Sequence, residues 1–258
     1  MKKIKFYLGL AVTMAFLSCS SNKEDYVVPE LSVKVAVSTE LGKHLVDGEG
    51  KTLYFLSKDV AGISTCTDGC LDAWPAFNLN ENPISEDLNS EDFSFITRAD
   101  GTTQTTFKGW PLYYFINDLA IGDTNGDALG NQFMIAKPDY TVMLGTQDVN
   151  GTSITYLVDA MGKSLYRDTG DTADLSVCNN GCLTVWPIFS TESETIVAPT
   201  GIDVDSFGKF IRTGVAEDQI TFKGSQLYFF ADDQARGDVN GLTNPNFVLI
   251  PKDFEGTN

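Results

Sequence analysis

The chain has 258 residues, a formal net charge of −17 and 42% hydrophobic content. That composition is globular, long enough for one large or two small domains. Its acidity opposes binding to nucleic acid or anionic lipid and favours cationic partners, Ca²⁺ among them, or simply keeps the protein soluble. The single histidine, His44, excludes a His-rich metal site and argues against Ser-His-Asp or Cys-His catalysis, so no enzyme is expected.

Lys2, Lys3 and Lys5 precede an apolar run from Phe6 to Leu17. This reads as a secretory signal over residues 1–18, too short to span a bilayer stably. Ser18 before Cys19 resembles a bacterial lipobox, with Phe16 in place of the usual Leu. The resemblance implies cleavage there, acyl chains on Cys19, and an outer-membrane lipoprotein that meets the membrane through that lipid alone. An ordinary signal peptide is the alternative. Lys23-Glu24-Asp25 is similar to a short signal that sends some Gram-negative lipoproteins to the cell surface, against a plain solvated segment. Ser20 to Glu30 reads as a tether reaching at most ~40 Å. Residues 19–39 thus hold the lipidated cysteine, the tether and a first strand.

That strand alternates, with Leu31, Val33, Val35 and Val37 on one face. His44–Val46, the turn "DGEG" and Thr52–Leu56 read as a hairpin. Tyr54 then precedes Asp59, and "CTDGCLDAWP" follows with Cys66 and Cys70; a short helical turn is expected after the pair. Thr103, Thr105 and Phe107 alternate behind the turn "ADGT". Trp110, Tyr113, Tyr114 and Phe115 form an aromatic cluster expected to pack in the core; the alternative is that Trp110, beside Pro111, is exposed and stacks on a sugar or another flat ligand. The loop "GDTNGD" carries Asp123, Asn125 and Asp127, and Phe133–Ala136 reads as a closing strand.

The series then repeats. Tyr166, Cys178 and Trp186 each lie 112 residues after Tyr54, Cys66 and Trp74, and "TFKGSQLYFF" follows "TFKGWPLYYF" by 115. Ile154–Val158, "DAMG" and Ser164–Tyr166 repeat the hairpin, "CNNGCLTVWP" carries Cys178 and Cys182, "GDVNG" carries Asp238 and Asn240, and Phe247–Ile250 closes. The chain is a tandem repeat, divided as 40–145 and 146–258. Four segments place Asp five residues after Tyr: Tyr54 and Asp59, Tyr113 and Asp118, Tyr166 and Asp171, Tyr228 and Asp233. The class is all-β, with duplicated antiparallel hairpins in two packed units; a small propeller of four similar blades is the alternative.

Cys-x3-Cys-x3-Trp-Pro, Asp-Gly-Thr-x-Gln and Pro-Leu-Tyr-Tyr-Phe together resemble the bacterial secreted-repeat lipoproteins with a Tyr-x4-Asp motif. The likeness covers both halves. That family has no established activity, and the resemblance implies an exported, usually lipid-anchored repeat protein. Arg167-Asp168 and Ser225-Gln226 depart from the pattern, so a site built there would differ between the halves.

Three readings of the cysteines compete. A soft metal suits thiolates, but the counterpart of His44 is Tyr156, so a repeated copper site lacks its histidine. A redox pair usually has two intervening residues. Export favours two local disulfides, Cys66–Cys70 and Cys178–Cys182, which fix a turn ahead of Trp74 and Trp186. Tyr-x4-Asp is either a ligand surface of four Tyr–Asp units or a strand whose following turn is organised by the Asp. The acidic Gly loops are partial Ca²⁺ loops or tight turns. The function expected is a non-enzymatic envelope or surface module that binds a protein or glycan, or supports an assembly. An accessory to electron transfer or copper handling, and a glycan-binding surface lipoprotein, are the alternatives.

Overall fold

The computed structural model describes residues 32–79 and 81–257. The signal segment, Cys19, the tether and Leu31 lie outside the described residues. The fold is all-β, and its two halves repeat one topology. In the first half β1 (Val33–Ser38) pairs with β2 (Gly42–Asp47), β3 (Tyr54–Leu56) with β7 (Phe133–Ile135), and β4 (Phe93–Thr97), β5 (Thr103–Phe107) and β6 (Trp110–Pro111) form a meander. In the second, β8 (Val142–Val149) pairs with β9 (Thr152–Asp159), β10 (Tyr166–Asp168) with β14 (Phe247–Leu249), and β11 (Phe207–Phe210), β12 (Gln219–Phe222) and β13 (Ser225–Gln226) form the meander. All these pairings are antiparallel. Each sheet has two or three strands, so none is the four-stranded blade of a propeller.

The strand-rich sequence closes through glycine turns. Two residues, Asn150 and Gly151 at φ 53° and 82°, join β8 to β9. This Asn-Gly turn matches the twist of the strands it joins. Because β8 spans 145–146 and β1 opens the first unit, the halves divide between β7 and β8, not at 145–146. Val37 shares a face with buried Val33 but is 74% exposed, since it lies beside the turn that closes the β1–β2 hairpin.

The main core runs through both halves, joining Phe55, Phe107 and Trp110 to Met143, Tyr156 and Leu157. A second cluster gathers Tyr54, Trp74, Tyr113, Phe115 and Phe133 in the first half. One-turn helices α1 (Gly69–Ala73) and α2 (Cys182–Val185) follow the first cysteine of each pair. They lead Trp74 and Trp186 into the interior, where each indole stacks at 3.5 Å on the ring of Phe133 or Phe247.

Candidate functional site

Within each half the two Tyr-x4-Asp motifs exchange partners. Tyr54 donates to Asp118 at 2.6 Å, and Tyr113 donates to Asp59 at 2.6 Å. In the second half Tyr166 donates to Asp233 at 2.7 Å and Tyr228 to Asp171 at 2.6 Å. The backbones exchange too: Tyr54 and Tyr113 each donate to the other's carbonyl, as do Tyr166 and Tyr228. All four rings are fully buried.

The second oxygen of each Asp captures a backbone N–H further along its own loop: Thr65, Asn125, Val177 and Asn240. One carboxylate therefore fastens its own turn and the opposite strand at once. Burial first, then the Asp118 hydrogen bond, pushes the Tyr54 phenol well above its usual range. Burial pushes Asp59 up to about 6 against the bonds from Tyr113 and Thr65. The four pairs turn inward and do not line a common ligand surface.

Behind each cysteine pair lies a buried polar chain. Arg98 donates to Ser64, to Gln104 and to the carbonyl of Cys66, and Ser64 meets Tyr113. Arg212 repeats this with Ser176, Gln219, the carbonyl of Cys178 and Tyr228. Buried guanidinium groups need such complete pairing. The sequence reading missed these residues; an Arg shortly before a strand Gln in both halves was their signal. Cys66–Cys70 and Cys178–Cys182 are disulfides, each local to its repeat. In that form neither pair offers the thiolate a soft metal takes.

The acidic Gly loops have their own structural work. Asp123 accepts from the N–H groups of Leu119 and Ala120, Asp127 from Ile135, and Asp238 from Ala235. Asn125 and Asn240 reach back to the carbonyls of Asn117 and Asp232. A Cβ at Gly126 would meet Trp74 at 2.7 Å and Tyr54 at 2.9 Å; at Gly241 it would meet Trp186 and Tyr166 at 2.8 Å. Glycine is thus required by the aromatics beneath it. Among the described residues, no three His, Cys, Asp or Glu side chains are grouped to hold a metal ion.

Trp110 is fully buried, as core packing requires, and offers no face to a sugar. Arg236 of the second half covers its ring at 4.7 Å and donates to the carbonyls of Lys108 and Val60. The Trp110 indole in turn donates to Ala160 at 3.0 Å. Arg236 is the peg between the halves, and burial lowers its pKa to about 10.

Among several open clefts, one of about 430 Å³ lies in the first half. Its floor is aromatic, with Phe77, Tyr114 and Phe115; its rim carries Asp47, Glu49, Lys51 and Asp118. Tyr114 donates to Asp47 at 2.9 Å, and Lys51 lies 3.4 Å from Glu49. Burial foremost, then Asp47, raises the Tyr114 phenol well above its usual range.

The family model described as a secreted repeat of unknown function matches residues 35–78 and 94–133. Each stretch carries one Tyr-x4-Asp unit, Tyr54 with Asp59 and Tyr113 with Asp118, so the exchanged pair joins two copies of that repeat. No curated protein and no solved structure matches the chain.

Proposed function

From a chain that carries two copies of a secreted repeat, we propose an exported, lipid-anchored, non-enzymatic binding module of the bacterial envelope, whose open cleft in the first half takes the ligand. The inward exchange of the Tyr–Asp pairs carries this reading. It commits the motif to scaffold and leaves the cleft lined by Tyr114, Phe77 and Glu49 as the concave, mixed apolar and charged surface that small ligands favour. Ser32, where the described chain begins, lines the same cleft. A lipid at Cys19 would hold it within a short tether's reach of the membrane.

Fractionation tests the anchor. Cys19→Ala should move the protein from the carbonate-washed membrane pellet to the soluble fraction. A mutant that still pellets contradicts lipid anchoring.

A further inference from the structure

We infer that the first-half cleft binds a cationic group on an aliphatic stem, an ammonium or guanidinium. This rests on the reading of that cleft as the ligand site. The inference comes from the second half, where Lys108 lines the equivalent cleft and Arg236 lies over the adjoining turn.

The turn Asp47-Gly48-Glu49-Gly50 corresponds to Asp159-Ala160-Met161-Gly162. Over Gly162 lies Arg236, whose guanidinium carbon is 3.1 Å from where a Cβ would stand. Lys108 of the first half lines a cleft with Asp159, Phe189 and Thr141, the counterparts of Asp47, Phe77 and Ser32. Two built-in cations therefore flank that turn.

The first half has neither. The counterpart of Arg236 is Ile121, whose Cγ2 lies 2.9 Å from the Cβ position at Gly50. No preceding repeat among the described residues provides a counterpart of Lys108. At the same time the cleft has gained Glu49 where the second half has Met161, and the Tyr114 hydroxyl where it has Phe229. Lys34, where the second half has Met143, holds the Gly48 carbonyl at 2.9 Å from outside the cleft lining, while on the lining itself acidic and hydrogen-bonding groups are added. Asp47 and Asp118 also face the cleft, their oxygens already held by the N–H groups of Lys51 and Asn125 and the hydroxyls of Tyr114 and Tyr54, which leaves Glu49 as its exposed carboxylate.

Lys51 is the one basic side chain on this lining, and it is half exposed beside an exposed Glu49. An incoming cation can displace it without uncovering a buried charge. Phe77, Phe115 and Ile116 supply the apolar wall for the stem, and aromatic faces attract cations further. The net charge of −17 draws cations toward the protein at low salt.

NMR titration of the mature protein tests this with four probes: Nα-acetyl-lysine amide, Nα-acetyl-arginine amide, 1,5-diaminopentane, and neutral Nα-acetyl-norleucine amide. The cationic probes should shift the amides of residues 47–52 and 114–118 saturably. Binding should weaken about tenfold between 0.02 and 0.5 M salt. Glu49→Gln should weaken it at least about fivefold, and Ile121→Arg, which sets a guanidinium over Gly50 at the edge of the cleft, should weaken it too. The acetylated amides binding more tightly than the diamine would identify a peptide side chain as the source; the reverse order would identify a free polyamine. If norleucine amide binds the same residues as tightly, the cleft is a site but the cation assignment is overturned. If no probe shifts these amides, or Ile121→Arg binds like the wild type, the inference fails.

Discussion

Asp59 shows how one residue does two tasks. It accepts from Tyr113 on the opposite strand and from Thr65 in its own loop, at almost no exposure. Burial pushes its pKa from 3.8 up to about 6. A raised folded pKa means that the contribution to stability is complete below about pH 4 and is lost as pH rises through 6. A carboxyl moved from 3.8 to about 6 corresponds to about 3 kcal/mol. Urea midpoints should therefore fall between pH 4 and 7, and Asp59→Asn should flatten much of that fall; an unchanged slope would refute the assignment. Asp118, Asp159 and Asp233 shift in the same direction, so some slope should remain. The sequence announced that Asp59 sits in a turn, because Tyr and Asp five apart face opposite sides of a strand. It could not announce the partner, because Tyr113 is 54 residues away and only pairing brings it near.

At the scale of elements, the glycine loops separate what spacing can tell from what packing adds. "GDTNGD" and "GDVNG" were readable as turns, and turns they are. Why Gly126 and Gly241 must be glycine is invisible in sequence, since the reason is an indole and a phenol brought from other strands. Gly126→Ala should cost about 1–3 kcal/mol through overpacking against Trp74 and Tyr54. Gly69→Ala, with open space around its Cβ and a helical backbone, should be neutral or stabilising. Equal effects in chemical denaturation would contradict this account of the loops. The internal offsets begin only at the strand after the β8–β9 hairpin, so they set the unit boundary inside β8, and the Asn150-Gly151 turn that would have marked the hairpin goes unused. Core packing of Trp110 was legible, but not what covers it: alternation places it on one face of β6, and Arg236 and Ala160 of the other half close that face.

The whole molecule is two interlocked pairs fastened to each other. Arg236→Ala would strip the guanidinium from Trp110 and leave the carbonyls of Val60 and Lys108 without that donor. A loss of about 2 kcal/mol is expected, with a red shift of tryptophan emission in the folded state. Unchanged stability would mean that the shared core, not the peg, holds the halves. Duplication, class and the local cysteine pairs were legible because repeats print themselves in sequence; the interlock was not, because repetition does not say whether two copies sit side by side or exchange partners. The central claim is that exchange. A double-mutant cycle measures it most directly, with urea unfolding of Tyr113→Phe, Asp59→Asn and the pair, beside Tyr54→Phe, Asp59→Asn and their pair. Tyr113 with Asp59, in different motifs, should couple by about 1–2 kcal/mol, whereas Tyr54 with Asp59, in the same motif, should add within about 0.5 kcal/mol. Coupling within the motif and additivity across it would contradict the interlock.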